Sequence, residues 1–181
     1  MGCKTVRMTV RLATLIAILL IAERASGAPP TPHERFADPF SYCAAVGSID
    51  MPDARYAGPA MPESVARGLQ KAFEVPADRP VEPFAINSIW RCMNGKVYAC
   101  SFGANLPCTA KASTDRKPTR AIVGYCQEEP DADFVPVVVT GRETIYEWFC
   151  RGALPVIKKA FTQPDARGFL SNIWFEIPAT E

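Results

Sequence analysis

The feature that most constrains this chain is its cysteine pattern. Six cysteines, Cys43, Cys92, Cys100, Cys108, Cys126 and Cys150, follow an N-terminal segment that carries a seventh, Cys3. An even number in an exported chain implies a disulfide framework. Zinc sites use ligand pairs two to four residues apart, so that a short turn holds both. Here seven residues separate Cys92 from Cys100, and seven separate Cys100 from Cys108. With no CxxC and one histidine, His33, the pattern points to disulfides rather than to metal or thiol redox chemistry.

The export reading comes from residues 1–27. Lys4, Arg7 and Arg11 give a positive start, Leu12 to Ala22 is apolar apart from Thr14, and small residues follow at Ala25, Ser26, Gly27 and Ala28. These are the three parts of a signal peptide, with cleavage expected after Gly27. The apolar run is about half of the ~20 residues that a membrane span needs. Met8 is an alternative start. Lipidation is not expected: position 6 is Val6 where N-myristoylation wants Ser or Thr, and Cys3 precedes the apolar run. Removal of Cys3 with the leader leaves six cysteines to pair.

The leader holds four of the 20 basic residues and one of the 19 acidic ones, so residues 28–181 carry 16 basic and 18 acidic side chains, a net charge near −2. That balance gives no reason to expect nucleic acid or an anionic membrane as partner. The expected partner is an unknown protein or envelope ligand, met in a periplasmic or secreted location.

Residues 28–40 are proline-rich and read as an extended arm, and residues 41–181 as one disulfide-stabilised domain. The stretch 41–60 reads as loop or short strand. Helices are expected over Met61–Phe73, where Val65, Leu69 and Phe73 recur every four residues, and over Pro118–Glu128, where Ile122 and Cys126 share a face. Ile89–Phe102 reads as a hairpin about Asn94-Gly95. That register sets Cys92 opposite Val97 and Cys100 opposite Ile89 on the other face, so distant partners are expected for both cysteines. A second hairpin is expected from Phe134–Val139 to Thr144–Cys150, and a third from Leu154–Phe161 to Phe169–Ile177. In the last, Ile173, Phe175 and Ile177 face the core, with Asn172, Trp174 and Glu176 opposite. The expected fold is α+β: a mostly antiparallel sheet built from hairpins, two short helices and three disulfides. Trp90-Arg91-Cys92 before Gly95 and Trp148-Phe149-Cys150 before Gly152 form an internal echo.

No catalytic constellation stands out. His33 lies in the arm, which does not hold it beside a nucleophile. The acids Glu128, Glu129, Asp131 and Asp133 lack the spacing of a calcium loop and read as solvated. No phosphate-binding glycine pattern occurs. Arg116, Lys117 and Arg120 read as surface charge near a helix start. No cofactor and no metal are expected. Trp174, expected to face outward, is the candidate binding surface, because exposed tryptophan is enriched at binding hot spots. The alternative is a hydrolase using a carboxylate pair that is distant in sequence.

The strings WRCMNGKVYAC, GANLPC, TIYEWFCRG and GFLSNIW, with YCAAVGSIDMPDARY before them, resemble small exported cysteine-containing proteins of proteobacteria. The resemblance implies export and no particular activity. Trp90 to Gly95 also resembles the aromatic-x-Cys strand and glycine turn of periplasmic lysozyme inhibitors. That implies a non-enzymatic, inhibitor-like role in the bacterial envelope or exterior.

Overall fold

A computed structural model describes Gly2 and residues 34–179. The rest of residues 1–27, where a leader and its cleavage point are expected, lies outside the described residues, as do residues 28–33 with His33. Along the chain run helix α1 (Pro39–Val46), α2 (Glu63–Ala72), α3 (Glu82–Ile86), strands β1 (Ser88–Met93) and β2 (Lys96–Ser101), helices α4 (Arg120–Glu128) and α5 (Val137–Thr140), and strands β3 (Tyr146–Arg151), β4 (Leu154–Ala160) and β5 (Phe175–Ile177). The architecture is α+β with antiparallel sheets, as expected.

Local chemistry sets most element boundaries. At α1, the Asp38 carboxylate accepts from the Ser41 N–H at 2.7 Å and Pro39 fills the first helical position. This helix begins inside what reads from sequence as the proline-rich arm. At α4, the Thr119 hydroxyl accepts from the Ile122 N–H. In α2, Val65 and Leu69 are buried while Glu63 and Arg67 pair one turn apart on the outer face. The β1–β2 hairpin has the expected register, Cys92 opposite Val97 and Ile89 opposite Cys100. Its turn residues Asn94 and Gly95 have φ of 54° and 77°, the left-handed pair that a type I′ turn needs.

Strands β1, β2 and β5 form one sheet in the order β1-β2-β5, while β3 and β4 form a separate ribbon. The three-stranded sheet is a middle layer. On one face Trp90, Cys92, Val97, Ala99 and Ile177 pack with Tyr42 and Cys43 of α1 and Val65 and Leu69 of α2. On the other, Ile89, Tyr98 and Cys100 pack against a second core that contains Trp148, Phe169, Leu170 and Trp174.

Three cysteine pairs lie at bonding distance: Cys43–Cys92, Cys100–Cys108 and Cys126–Cys150. Cys92 has the distant partner expected of it. Cys100 does not: its partner Cys108 is eight residues away, because the turn Gly103–Asn105 folds the chain back beside β2.

The echo noted in the sequence extends to the backbone. In each half a Tyr-Cys pair, Tyr42-Cys43 or Tyr125-Cys126, lies on a helix whose cysteine bonds the cysteine of a Trp-x-Cys strand. Six positions after each helical cysteine, a carbonyl accepts from the strand cysteine's N–H: Ile49 from Cys92 at 3.1 Å, and Ala132 from Cys150 at 2.8 Å. One position earlier, a side-chain oxygen caps the first residue of the hairpin turn. The Ser48 hydroxyl accepts from Asn94 N–H, and the Asp131 carboxylate from Gly152 N–H. The chain therefore contains two helix–hairpin units of matching construction, each stapled by its own disulfide.

Three sequence expectations are corrected here. Among the described residues there are three further helices besides the two expected. The run Phe134–Val139 does not form a hairpin with Thr144–Cys150. Val135 N–H does bond to the Trp148 carbonyl, but Pro136 then ends the pairing, and Val137–Thr140 close into a helical turn that leaves through Gly141 at φ 88°. Nor does Leu154–Phe161 pair with Phe169–Ile177: β4 returns onto β3, and β5 crosses to β2.

Candidate binding cleft and buried arginine

Trp174 is not a surface residue. It is 6% exposed, packed edge-on to Phe169 at 5.7 Å and against the Arg91 guanidinium at 4.2 Å from its ring centre. Phe175 and Ile177 do face the helices, as alternation requires, with Glu176 on the opposite face. The face opposite the helices is covered by the second unit, so Trp174 joins a core instead of meeting solvent. The binding patch proposed for it from sequence does not exist.

Arg91 is the residue that sequence reasoning missed. It shares a face with Ile89 on β1 and is fully buried. Its Nη2 donates to the Asp165 carboxylate, while Nε and Nη1 have no hydrogen-bond partner. Its planar faces meet aromatic rings, Phe169 at 4.3 Å and Trp174 at 4.2 Å. Asp165 also accepts from the N–H groups of Arg167 and Phe169, so one carboxylate shapes the 165–169 turn and neutralises Arg91. Around it, Asp50 takes Lys111 Nζ and Arg167 Nε, and Lys111 also lies 3.5 Å from the Phe169 ring centre. This network ties β1 and the loop after α1 to the second unit. Its signal in the sequence is an arginine inside the otherwise apolar strand Ile89-Trp90-Arg91-Cys92-Met93.

Of the other singled-out charges, two serve the fold, and Lys117, Arg120, Glu128, Glu129 and Asp133 are exposed. Arg116 donates to the Tyr146 hydroxyl, and Asp131 caps the Gly152 turn. No group of three or more His, Cys, Asp or Glu among the described residues is placed to hold a metal ion. No helix among them is long and apolar enough to cross a membrane.

A cleft of about 510 Å³ opens between the loop that follows α1 and the α3–β1 junction. Its rim carries Met51 and Ile86, 67% and 79% exposed, and its walls include Pro52, Met61, Ser88 and Trp90. Behind it stand three interlocked rings, Tyr42, Tyr56 and Trp90, with centres 4.8 to 5.9 Å apart. Trp90 is pinned further by its Nε1–H donating to the Ala60 carbonyl at 2.8 Å. The floor is therefore rigid. Burial pushes the Tyr42 and Tyr56 hydroxyls above the ordinary tyrosine pKa.

One charged residue lines this cleft, Asp53. Hydrogen bonds from Arg55 hold its carboxyl down to about 2. Asp50 is likewise lowered, chiefly by Arg167, and Glu176 chiefly by Lys96. A general acid needs the opposite shift, a carboxyl raised toward neutrality. The cleft thus offers apolar area, aromatic walls and a rim whose one carboxylate is paired with Arg55. Comparison with protein-family models, with curated proteins and with solved structures finds no match to this chain.

Proposed function

We propose that this chain is an exported, non-enzymatic binding module, inhibitor-like in kind, acting in the bacterial envelope or exterior. The observation that carries the reading is the cleft, where Met51 and Ile86 stand exposed beside a rigid aromatic floor. Exposed apolar side chains gathered at a concave surface are a mark of a binding site. The three cysteine pairs are consistent with an oxidising location. The likeness of Trp90 to Gly95 to lysozyme inhibitors supports an inhibitor-like role.

The test is photo-crosslinking in envelope extracts from position 86, with position 154 as the control, since Leu154 is 70% exposed on the other unit. The reading predicts a partner labelled from 86 and not from 154, whose binding to the purified chain is lost in Ile86→Asp. Equal labelling from both positions contradicts it. So does a hydrolytic activity of the purified chain that Asp53→Asn abolishes, which would establish the carboxylate enzyme instead.

A further inference from the structure

The cleft opens where the first unit lacks a contact that the second unit makes. Nine positions after its helical cysteine the second unit has Val135, whose N–H donates to the Trp148 carbonyl at 2.8 Å and which is 2% exposed. The first unit has Pro52 at that position, near Trp90. Proline has no N–H to donate, so the loop after α1 parts from β1 and leaves the cleft between them.

Two features limit what this cleft can hold. The strand main chain beneath it is covered, with Ser88 and Trp90 9% and 2% exposed. An extended segment laid into the cleft would bury its own N–H and C=O groups without partners, which is unfavourable. A helix satisfies those groups within itself. The rim, by contrast, stands in solvent at Met51 and Ile86. A single acyl chain seated in the cleft would leave both rim residues in water. A helix, about 10–12 Å across with its side chains, is wide enough to cover the rim and fill the space between. Met51 and Met61 are unbranched side chains that adapt to such an apolar surface.

Charge narrows the kind of helix. Glu82 lies one turn before Ile86 on α3, so the two share a face. It is exposed, and among the described residues it has no hydrogen-bond or ion-pair partner. Asp53, across the cleft, is already paired with Arg55. The charge left to be met at this rim is therefore negative.

We infer that the cleft is a groove for one amphipathic helix of a partner polypeptide, whose apolar stripe lies between Met51 and Ile86 and whose flanking Lys or Arg meets Glu82. Apolar residues at i, i+3 or i+4, and i+7 of that helix supply the contact area, and the basic residue sets its orientation. The inference rests on the binding reading above and names the partner's chemistry.

The test uses the oxidised chain and labelled peptides of about 14 residues, near the length at which a favourable sequence becomes helical. The parent is acetyl-Ala-Lys-Leu-Lys-Gln-Leu-Leu-Gln-Lys-Leu-Lys-Ala-Leu-Gln-amide, with its leucines on one face and lysines on both flanks. One variant carries Glu for every Lys, one carries proline at its centre, and one is reordered so that leucine alternates with polar residues. Fluorescence anisotropy should show the parent binding and each variant weaker by about tenfold or more. Ile86→Asp should weaken the parent by a similar factor, and Leu154→Asp should leave it unchanged. Glu82→Gln should weaken the parent and narrow its margin over the glutamate peptide. Equal binding of the proline or alternating peptide would overturn the helical mode while leaving the cleft as a binding site. Equal binding of the lysine and glutamate peptides, or no response to Glu82→Gln, would overturn the basic flank. Binding unaffected by Ile86→Asp would remove both the groove and the cleft reading. Absence of binding by every peptide would overturn the groove, and so would tighter binding of dodecanoate than of the parent, which marks a lipid occupant. Binding that requires deletion of residues 28–33 would also overturn it, since the chain's own segment would then be the occupant.

Discussion

Arg91 shows how a single residue couples the halves of this protein. A guanidinium taken out of water costs several kcal/mol unless a partner and hydrogen bonds compensate it. Here one carboxylate and two aromatic rings provide the compensation. Asp165→Ala leaves the cation buried and unpaired, and should cost about 3–5 kcal/mol in unfolding free energy. Denaturant titration of the oxidised protein measures it. Asp165→Asn keeps an acceptor for the Arg167 and Phe169 N–H groups and should cost less than Asp165→Ala. If both substitutions cost under about 1 kcal/mol, typical of exposed pairs, Asp165 does not hold the halves together. The alternation that places Arg91 beside Ile89 was legible in the strand. That its face is covered was not, because the cover comes from residues 165–174, far along the chain.

At the scale of elements, α2 reaches the sheet through a gap. A Cβ built on Gly68 would stand 2.3 Å from Cγ2 of Ile177 on β5, closer than any real contact. Ile177 is 2% exposed and β-branched, so it has little room to turn. Gly68→Ala raises helix propensity by about 1 kcal/mol. Overpacking of a filled core costs about 1–3 kcal/mol. The crowding should win, lowering the melting temperature, and a rise would show that α2 sits farther from β5 than described. Elements bounded by local chemistry were legible: the Asn94-Gly95 hairpin by its turn, and α2 and α4 by their apolar spacing. Helix α1 carried a signal too, Asp38 before Pro39, but it was absorbed into the proline-rich run ahead of it. The valines at 137–139 favour a strand by type, yet Pro136 and Gly141 set a helical turn. The strand partners of β4 and β5 were not legible, since pairing across the chain depends on which faces remain to be covered.

At the scale of the molecule, two helix–hairpin units are each stapled from helix to strand, and the first unit's hairpin, widened by β5, is covered by α1 and α2 on one face and by the second core on the other. The sheet's burial accounts for the correction at Trp174. The candidate site was thus only partly visible in the sequence. Trp90 and the hairpin were apparent, but the cleft needed the loop 51–61 and α3 to be set beside them. Peptide mapping of the oxidised protein reads this pairing, because trypsin separates the three pairs. The expected products are residues 36–55 linked to 92–96, residues 121–142 linked to 143–151, and residues 97–111 closed by an internal bridge between Cys100 and Cys108. A link between the peptides of Cys43 and Cys150, or of Cys92 and Cys126, would contradict it, because each staple would then join the two units instead of closing one.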